Sequence, residues 1–318
     1  MKLIKSLLIC FICIPFKTIA QPGALYPPFG HFGIAVTTES GSSFEKILPL
    51  SGGKFLVTDA EIASRTYPNG ATESYAFSTF WRYNGDGTLD QTYYGSGKKE
   101  FWSSDENHQY FSSFAVLTDG RIVATESVQV LGSNPFPLNR IWIFNSDGTG
   151  GFILAELSVF GYFSVNLNGI TVDKNNRIVV TGFVRPNLST EKTRTYIARL
   201  LADGNLDESF NNVGFRVLVE NSSYNYSGEL VATDAGNNIV IGEEGYYGAG
   251  SGFYISKFLE NGSMETTFGN VKTTAAVRSL VIDGNSKITL LDGSTIKRLN
   301  ANGVPDITFL PAGFTVRK

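Results

Sequence analysis

RLLADGNLDESFNNVG, residues 199–214, is the stretch from which the fold is read. Asp203 and Gly204 sit where a strand reverses: Asp bonds its own backbone two residues on, and Gly accepts positive φ without steric cost. Leu206 and Phe210 are the apolar positions after the turn, and Gly214 opens the next strand. The same grammar returns at Arg82–Asp90 (RYNGDGTLD) with Tyr94-Gly95, at Lys257–Gly262 (KFLENG) with Phe268-Gly269, and at Arg298–Gly303 (RLNANG) with Phe309. A recurring unit of this kind sets the fold through its period.

Between the copies, short β-branched and aromatic runs alternate with Gly, Asn and Asp turns, which is the pattern of strands and hairpins. Two landmarks measure the repeat. The residue that starts the third strand of each unit falls at Lys54, Arg121, Arg177, Asn238 and Lys287, in steps of 67, 56, 61 and 49. The turn glycine falls at Gly87, Gly148, Gly204, Gly262 and Gly303, in steps of 61, 56, 58 and 41. Both series count five units, and no window of helical period competes. The units are placed at about 33–95, 96–150, 151–213, 214–269 and 270–318. Their opening strands are Gly33–Thr38, Glu100–Ser103, Phe152–Leu157, Phe215–Val219 and Val271–Thr274, with Gly313–Arg317 left as an extra strand.

The pairing of LTDGRIVA (Leu117–Ala124) with DGNLDESF (Asp203–Phe210) resembles the bacterial delta-60 repeat. The resemblance implies a propeller-like fold, a secreted or surface-associated protein, and no established activity or catalytic residues. Several copies depart from the pattern: Asn145–Gly151 (NSDGTGG) lacks the Leu-Asp and the Phe, the fourth copy has Met264-Glu265, and the fifth has Val304-Pro305-Asp306.

Physical reasoning leads the same way. A lone four-stranded sheet cannot hide both faces, so it stacks on its neighbours, and radial closure leaves only short edges. The expected fold is all-β, a single β-propeller of about five four-stranded blades over residues 21–318. Gly33–Thr38 or Gly313–Arg317 would lock the ring. Six or more blades, or an open β-solenoid, are the alternative architectures.

Composition bounds the function. The 318 residues are 42% hydrophobic and 13% aromatic, enough for a large core. Lys2 and Lys5, the apolar run Leu7–Pro15 and Thr18–Ala20 read as a secretory signal over residues 1–20, cleaved before Gln21. An uncleaved anchor is the alternative, although the apolar run is short for a membrane span. The product is expected to be secreted, periplasmic or at the cell surface, without a stable membrane span. Cys10 and Cys13 both lie in the signal, so the remainder has no thiol nucleophile, thiolate ligand or disulfide. Removing Lys2, Lys5 and Lys17 from 26 basic residues leaves 23 against 29 acidic ones, a formal charge of −6. An acidic surface without basic clusters repels phosphate backbones, which argues against nucleic acid.

Candidate chemistry is sparse. Asn84, Asp86, Thr88 and Asp90 put oxygen atoms at alternating positions, as a calcium loop begins. The sixth and twelfth positions are Leu89 and Gly95, where such a loop needs glycine and a bidentate acid, so a structural turn is preferred to a Ca2+ site. His31 and His108 are the only histidines, and any His-based metal site or triad would have to use them. No Gly-x-Ser-x-Gly elbow occurs, and no other metal or cofactor is expected. Glu243-Glu244 are adjacent on a strand and point apart, one to solvent and one to the rim. Trp102, Tyr110, Tyr224, Tyr226, Tyr246 and Tyr247 lie near strand ends among Asn and Ser, as carbohydrate or peptide binding would use them; blade packing is the competing role. The preferred reading is a non-catalytic binding or scaffold module for a peptide, glycan or envelope partner. An extracellular hydrolase or lyase with a site in the propeller channel is the alternative.

Overall fold

Ile178, Val179 and Val180 are all fully buried. Such a run of β-branched residues with both faces covered is what a strand between two packed layers requires. The computed structural model describes residue 29 and residues 44–66, 68–70, 72–102, 107–130, 139–188, 191–218, 224–247, 250–268, 271–273, 276–293 and 295–309. The expected signal, His31 and the closing strands expected at 33–38 and 313–317 lie outside them.

The protein is an all-β propeller of five antiparallel sheets. The first holds β1 (Phe44–Pro49), β2 (Phe55–Thr66), β3 (Thr72–Tyr83) and β4 (Lys98–Trp102). The second holds β5 (Asn107–Val116), β6 (Ile122–Val130), β7 (Arg140–Phe144) and β8 (Phe152–Glu156). The third holds β9 (Tyr162–Val172), β10 (Ile178–Pro186), β11 (Arg194–Leu200) and β12 (Phe215–Val217). The fourth holds β13 (Asn225–Thr233), β14 (Ile239–Tyr247), β15 (Gly250–Phe258) and β16 (Val271–Thr273). The fifth shows β17 (Val277–Ile282), β18 (Ile288–Asp292) and β19 (Thr295–Leu299) among the described residues.

Sheet boundaries fall one strand later than the unit boundaries expected from sequence. The strands placed at the head of units two to five are β4, β8, β12 and β16, and each is the outermost strand of the preceding sheet. The repeated turn explains the shift. In its first copy Asn84 N–H donates to Thr88 O (2.8 Å) and Asp90 N–H to Arg82 O (2.8 Å), then Arg82 N–H donates to Gly97 O (3.0 Å). The chain therefore folds back onto the strand it has just left, within one sheet.

The core is a series of apolar layers between neighbouring sheets. Leu56 and Phe80 of the first sheet meet Phe114, Ile122 and Phe144 of the second. Ile143 and Val123 meet Val165, Leu167 and Ile178. Val179 and Ile197 meet Ile239 and Ile241, and Val240 and Ile255 meet Leu280 and Ile288. Alternation along each strand sends neighbouring residues to opposite layers.

The repeated turn also staples neighbours. Arg199, 1% exposed, donates Nε to Asp207 Oδ2 (2.7 Å), Nη2 to Ser209 Oγ (2.8 Å) and Nη1 to the carbonyl of Glu260 in the next sheet's turn. Arg82 repeats this set with Asp90, Thr92 and the Ser146 carbonyl. Lys257 reaches Ala301 O (3.3 Å) in the same way. The guanidinium lies over the aromatic three residues past the acid: Tyr93, Phe210 and Phe309 under Arg82, Arg199 and Arg298. The first copy's anchor is thus Tyr93, fully buried, while Tyr94, paired with Phe210 by sequence, is 46% exposed.

Candidate functional site

One irregularity recurs in the innermost strand of every sheet. Where β1, β5, β9, β13 and β17 pair with their neighbours, the register slips by one residue, between Phe44 and Lys46, Phe111 and Ser113, Leu167 and Gly169, Gly228 and Leu230, and Val277 and Ser279. The extra residues are Glu45, Ser112, Asn168, Glu229 and Arg278. A bulge leaves its residue out of the ladder and re-aims the strand.

These five strands line a cavity of about 310 Å3, at the small end of ligand pockets. Its walls carry Lys46 from the first sheet, Ser113 from the second, Asn168 from the third, Glu229 from the fourth, and Arg278 and Ser279 from the fifth. Phe114, Ile170, Leu230, Val231 and Leu280 supply apolar surface between them. A cavity with one wall from each sheet is the propeller's central channel.

Polar contacts tie the walls together. Lys46 Nζ donates to Ser113 Oγ (3.1 Å) and Phe114 O (2.9 Å), and burial lowers the lysine's pKa to about 8. Asn168 Nδ2 donates to Ser227 Oγ (3.0 Å), Gly228 O (3.1 Å) and Glu229 Oε1 (3.2 Å). Burial raises the pKa of Glu229 and the nearby Glu244 charge adds to it, against hydrogen bonds from Ser227 and Asn168. Neither Arg278 nor Glu229 forms an ion pair among the described residues. Two basic side chains, an acid and an amide thus line one cavity, with apolar surface among them.

Of the aromatic residues singled out from sequence, Tyr224 and Tyr226 are outside the cavity lining. Trp102 ends β4, opposite Phe77, and Tyr110 lies on β5 opposite Ser127. Tyr224 stands half-buried just before β13. Tyr226 is only 5% exposed, and its backbone bonds Thr193, so its ring packs inside the sheet assembly. Tyr246 and Tyr247 close the β14–β15 hairpin, opposite Ser251 and Gly250. Strand direction puts all six toward the face opposite the repeated turns. The fourth sheet brings Tyr226 near Tyr246 through the β13–β14 pairing, with Tyr247 next on β14 and Tyr224 just before β13, while Trp102 and Tyr110 belong to the first and second sheets.

The other sequence candidates make local contacts. Asp86 Oδ1 accepts from Thr88 N–H and Oγ1, while Asp90 accepts from Arg82, Lys54 and Thr92. A carboxylate already facing two cations is a poor calcium ligand. No group of three or more His, Cys, Asp or Glu that could hold a metal occurs among the described residues. Glu243 is 2% exposed and accepts from Ser256 Oγ (2.7 Å), so it is not solvated, while Glu244 is half-buried. His108 lies on β5 opposite Gln129. Sequence reading missed the cavity residues because a bulge depends on pairing with the neighbouring strand; Lys46, Asn168 and Glu229 carry no motif.

Comparison with known proteins bears on the fold. Residues 174–210 match the model of a domain of unknown function described as a β-propeller, DUF5122. No curated protein matches by sequence. Among solved structures, a protein of unknown function from Dyadobacter fermentans is similar at TM-score 0.54 and 11% identity, covering 86% of this chain and 84% of that one. An α-L-arabinofuranosidase from Fusarium graminearum, solved with an iminosugar inhibitor, is similar at TM-score 0.50 and 10% identity, covering 81% and 78%. At such identities the likeness is one of fold. The chain is a β-propeller whose stretch 174–210, the opening repeat's own neighbourhood, carries the family match.

Proposed function

We propose that the protein is a secreted or surface-associated binding propeller that holds a polar ligand or the polar tip of a partner in its central channel, without turning it over. The observation that carries this reading is the set of five aligned bulges, which turns non-repeating side chains toward one cavity while the repeated residues hold the sheets together. The basic and apolar N-terminal stretch supports a place outside the cytoplasm.

A second reading follows from one pair of groups. Burial raises Glu229 and lowers Lys46, bringing both toward neutral pH, where acid–base chemistry works best. A hydrolase or lyase acting in the channel would use them. The test is a thermal-shift screen of sugars, sugar acids, amino acids and dipeptides, run beside glycosidase, lactonase and esterase assays. Stabilisation without turnover is expected, and it should vanish in Ser279→Trp, which plugs the cavity. Turnover that disappears in Glu229→Gln would replace the binding reading with the catalytic one.

A further inference from the structure

The channel's charges are arranged in a way that specifies a ligand. Arg278 projects from the fifth sheet's bulge, exposed and without an ion pair among the described residues. Among the described residues, Lys46 of the first sheet bonds neutral oxygens, those of Ser113 and Phe114. Neither cation therefore has a counter-ion among the described residues, and both line the cavity. The third and fourth sheets present the opposite character. Glu229 offers carboxylate oxygens, and Asn168, whose amide N–H groups are spent on Ser227, Gly228 and Glu229, has its carbonyl oxygen left to accept. That side welcomes donors and repels anions, the more so because Glu244 adds its charge to Glu229.

From this juxtaposition we infer that the channel binds a small carboxylate whose far end carries hydrogen-bond donors, with the carboxylate on Arg278 and Lys46 and the donors on Glu229 and Asn168. The inference rests on the channel being the binding site. A guanidinium pairs with a planar carboxylate through two parallel N–H···O bonds, which favours this group over a spherical anion. A tetrahedral dianion such as phosphate would satisfy the cations, but it would set its remaining charge against Glu229 in a cavity of about 310 Å3. A neutral sugar would leave both cations desolvated and unpaired, which is costly. Two ligand sources share the required chemistry: hydroxylated acids such as sugar acids, and α-amino acids. They differ in the far-end donors, hydroxyls in one and an ammonium in the other.

Isothermal titration of the purified protein with gluconate, galacturonate, alanine, glutamine, glucose, a neutral dipeptide amide and inorganic phosphate tests the inference. At least one carboxylate class should bind, with glucose weaker by about tenfold or more, the loss of one charge-assisted pair, and phosphate weaker through repulsion from Glu229. Arg278→Gln should weaken the bound carboxylate by about tenfold while leaving the melting transition in place, since Arg278 is exposed. Glu229→Gln separates the sources: it should weaken an amino acid strongly and a sugar acid only slightly. Phosphate or glucose binding as tightly as the carboxylates overturns the inference. If neutral probes alone bind, and Ser279→Trp removes them, the channel reading stands and the carboxylate inference falls. If no probe binds wild type any better than Ser279→Trp, both fall.

Discussion

Arg199 is 1% exposed, a place where a guanidinium survives only if every donor is used. Asp207, Ser209, the Glu260 carbonyl and the ring of Phe210 together use it, across two sheets. Removing it leaves Asp207 with Ser209 and a distant Arg177, 3.6 Å away. Arg199→Leu should therefore lower unfolding free energy in urea by about 3–5 kcal/mol. A loss below about 1 kcal/mol would mean that the staple is decorative. Gly148 is the second residue that geometry constrains. Its φ is +83°, and an added Cβ would sit 2.7 Å from the Tyr93 ring, which is fully buried and has nowhere to go. Gly148→Ala should cost about 2–4 kcal/mol, from left-handed strain plus overpacking. Gly70→Ala, at φ +84° in open space, should cost only about 1 kcal/mol, and the difference between the two unfolding curves isolates the ring contact.

At the scale of the element, the repeated turn is a pH-sensitive unit. Lys287 and Thr308 hold the Asp306 carboxyl well below its usual range. In Asp90 and Asp207 burial pushes the other way, but hydrogen bonds from Lys54 and Thr92, or from Ser209, with the neighbouring arginine, outweigh it. A carboxylate with a depressed folded pKa adds stability that is present above its unfolded value, about 4, and is lost as pH falls through the folded value. The urea midpoint should hold near neutrality and drop steadily below about pH 4. In an Asp207→Asn, Asp306→Asn double variant the curve should start lower and fall less; an equal fall would place the acid sensitivity elsewhere. The bulges belong to this scale too. Each puts one residue of an inner strand out of the ladder, so the side chains before and after it change facing.

Across the whole molecule, stability resides in layers between sheets, and each sheet depends on its neighbours. Deleting residues 276–318 would strip Val277, Leu280, Ile288 and Leu290 from Val240, Phe253 and Ile255, exposing an apolar face. It would also remove Arg278 from the channel. Loss of cooperative melting and association on a sizing column are the expected outcomes; a monomer that melts sharply would show that four sheets stand alone.

The strands, their all-β class and the five-fold count are legible in the residues, because turn chemistry at Asp203-Gly204 and its copies is local, as is the two-residue alternation of the strands. The role of Leu206 and Phe210 as packing anchors follows from the same regularity. Which sheet claims β4, β8, β12 and β16 is not local: it depends on hydrogen bonds such as Asp90 N–H to Arg82 O, which fold the turn onto the strand behind it. The channel is further still from the sequence. Lys46, Asn168, Glu229 and Arg278 follow one another at separations of 122, 61 and 49 residues, and only the stacking of the sheets brings their bulges around one cavity. Local chemistry determined the repeating part of this protein, and tertiary packing decided which of its non-repeating residues meet.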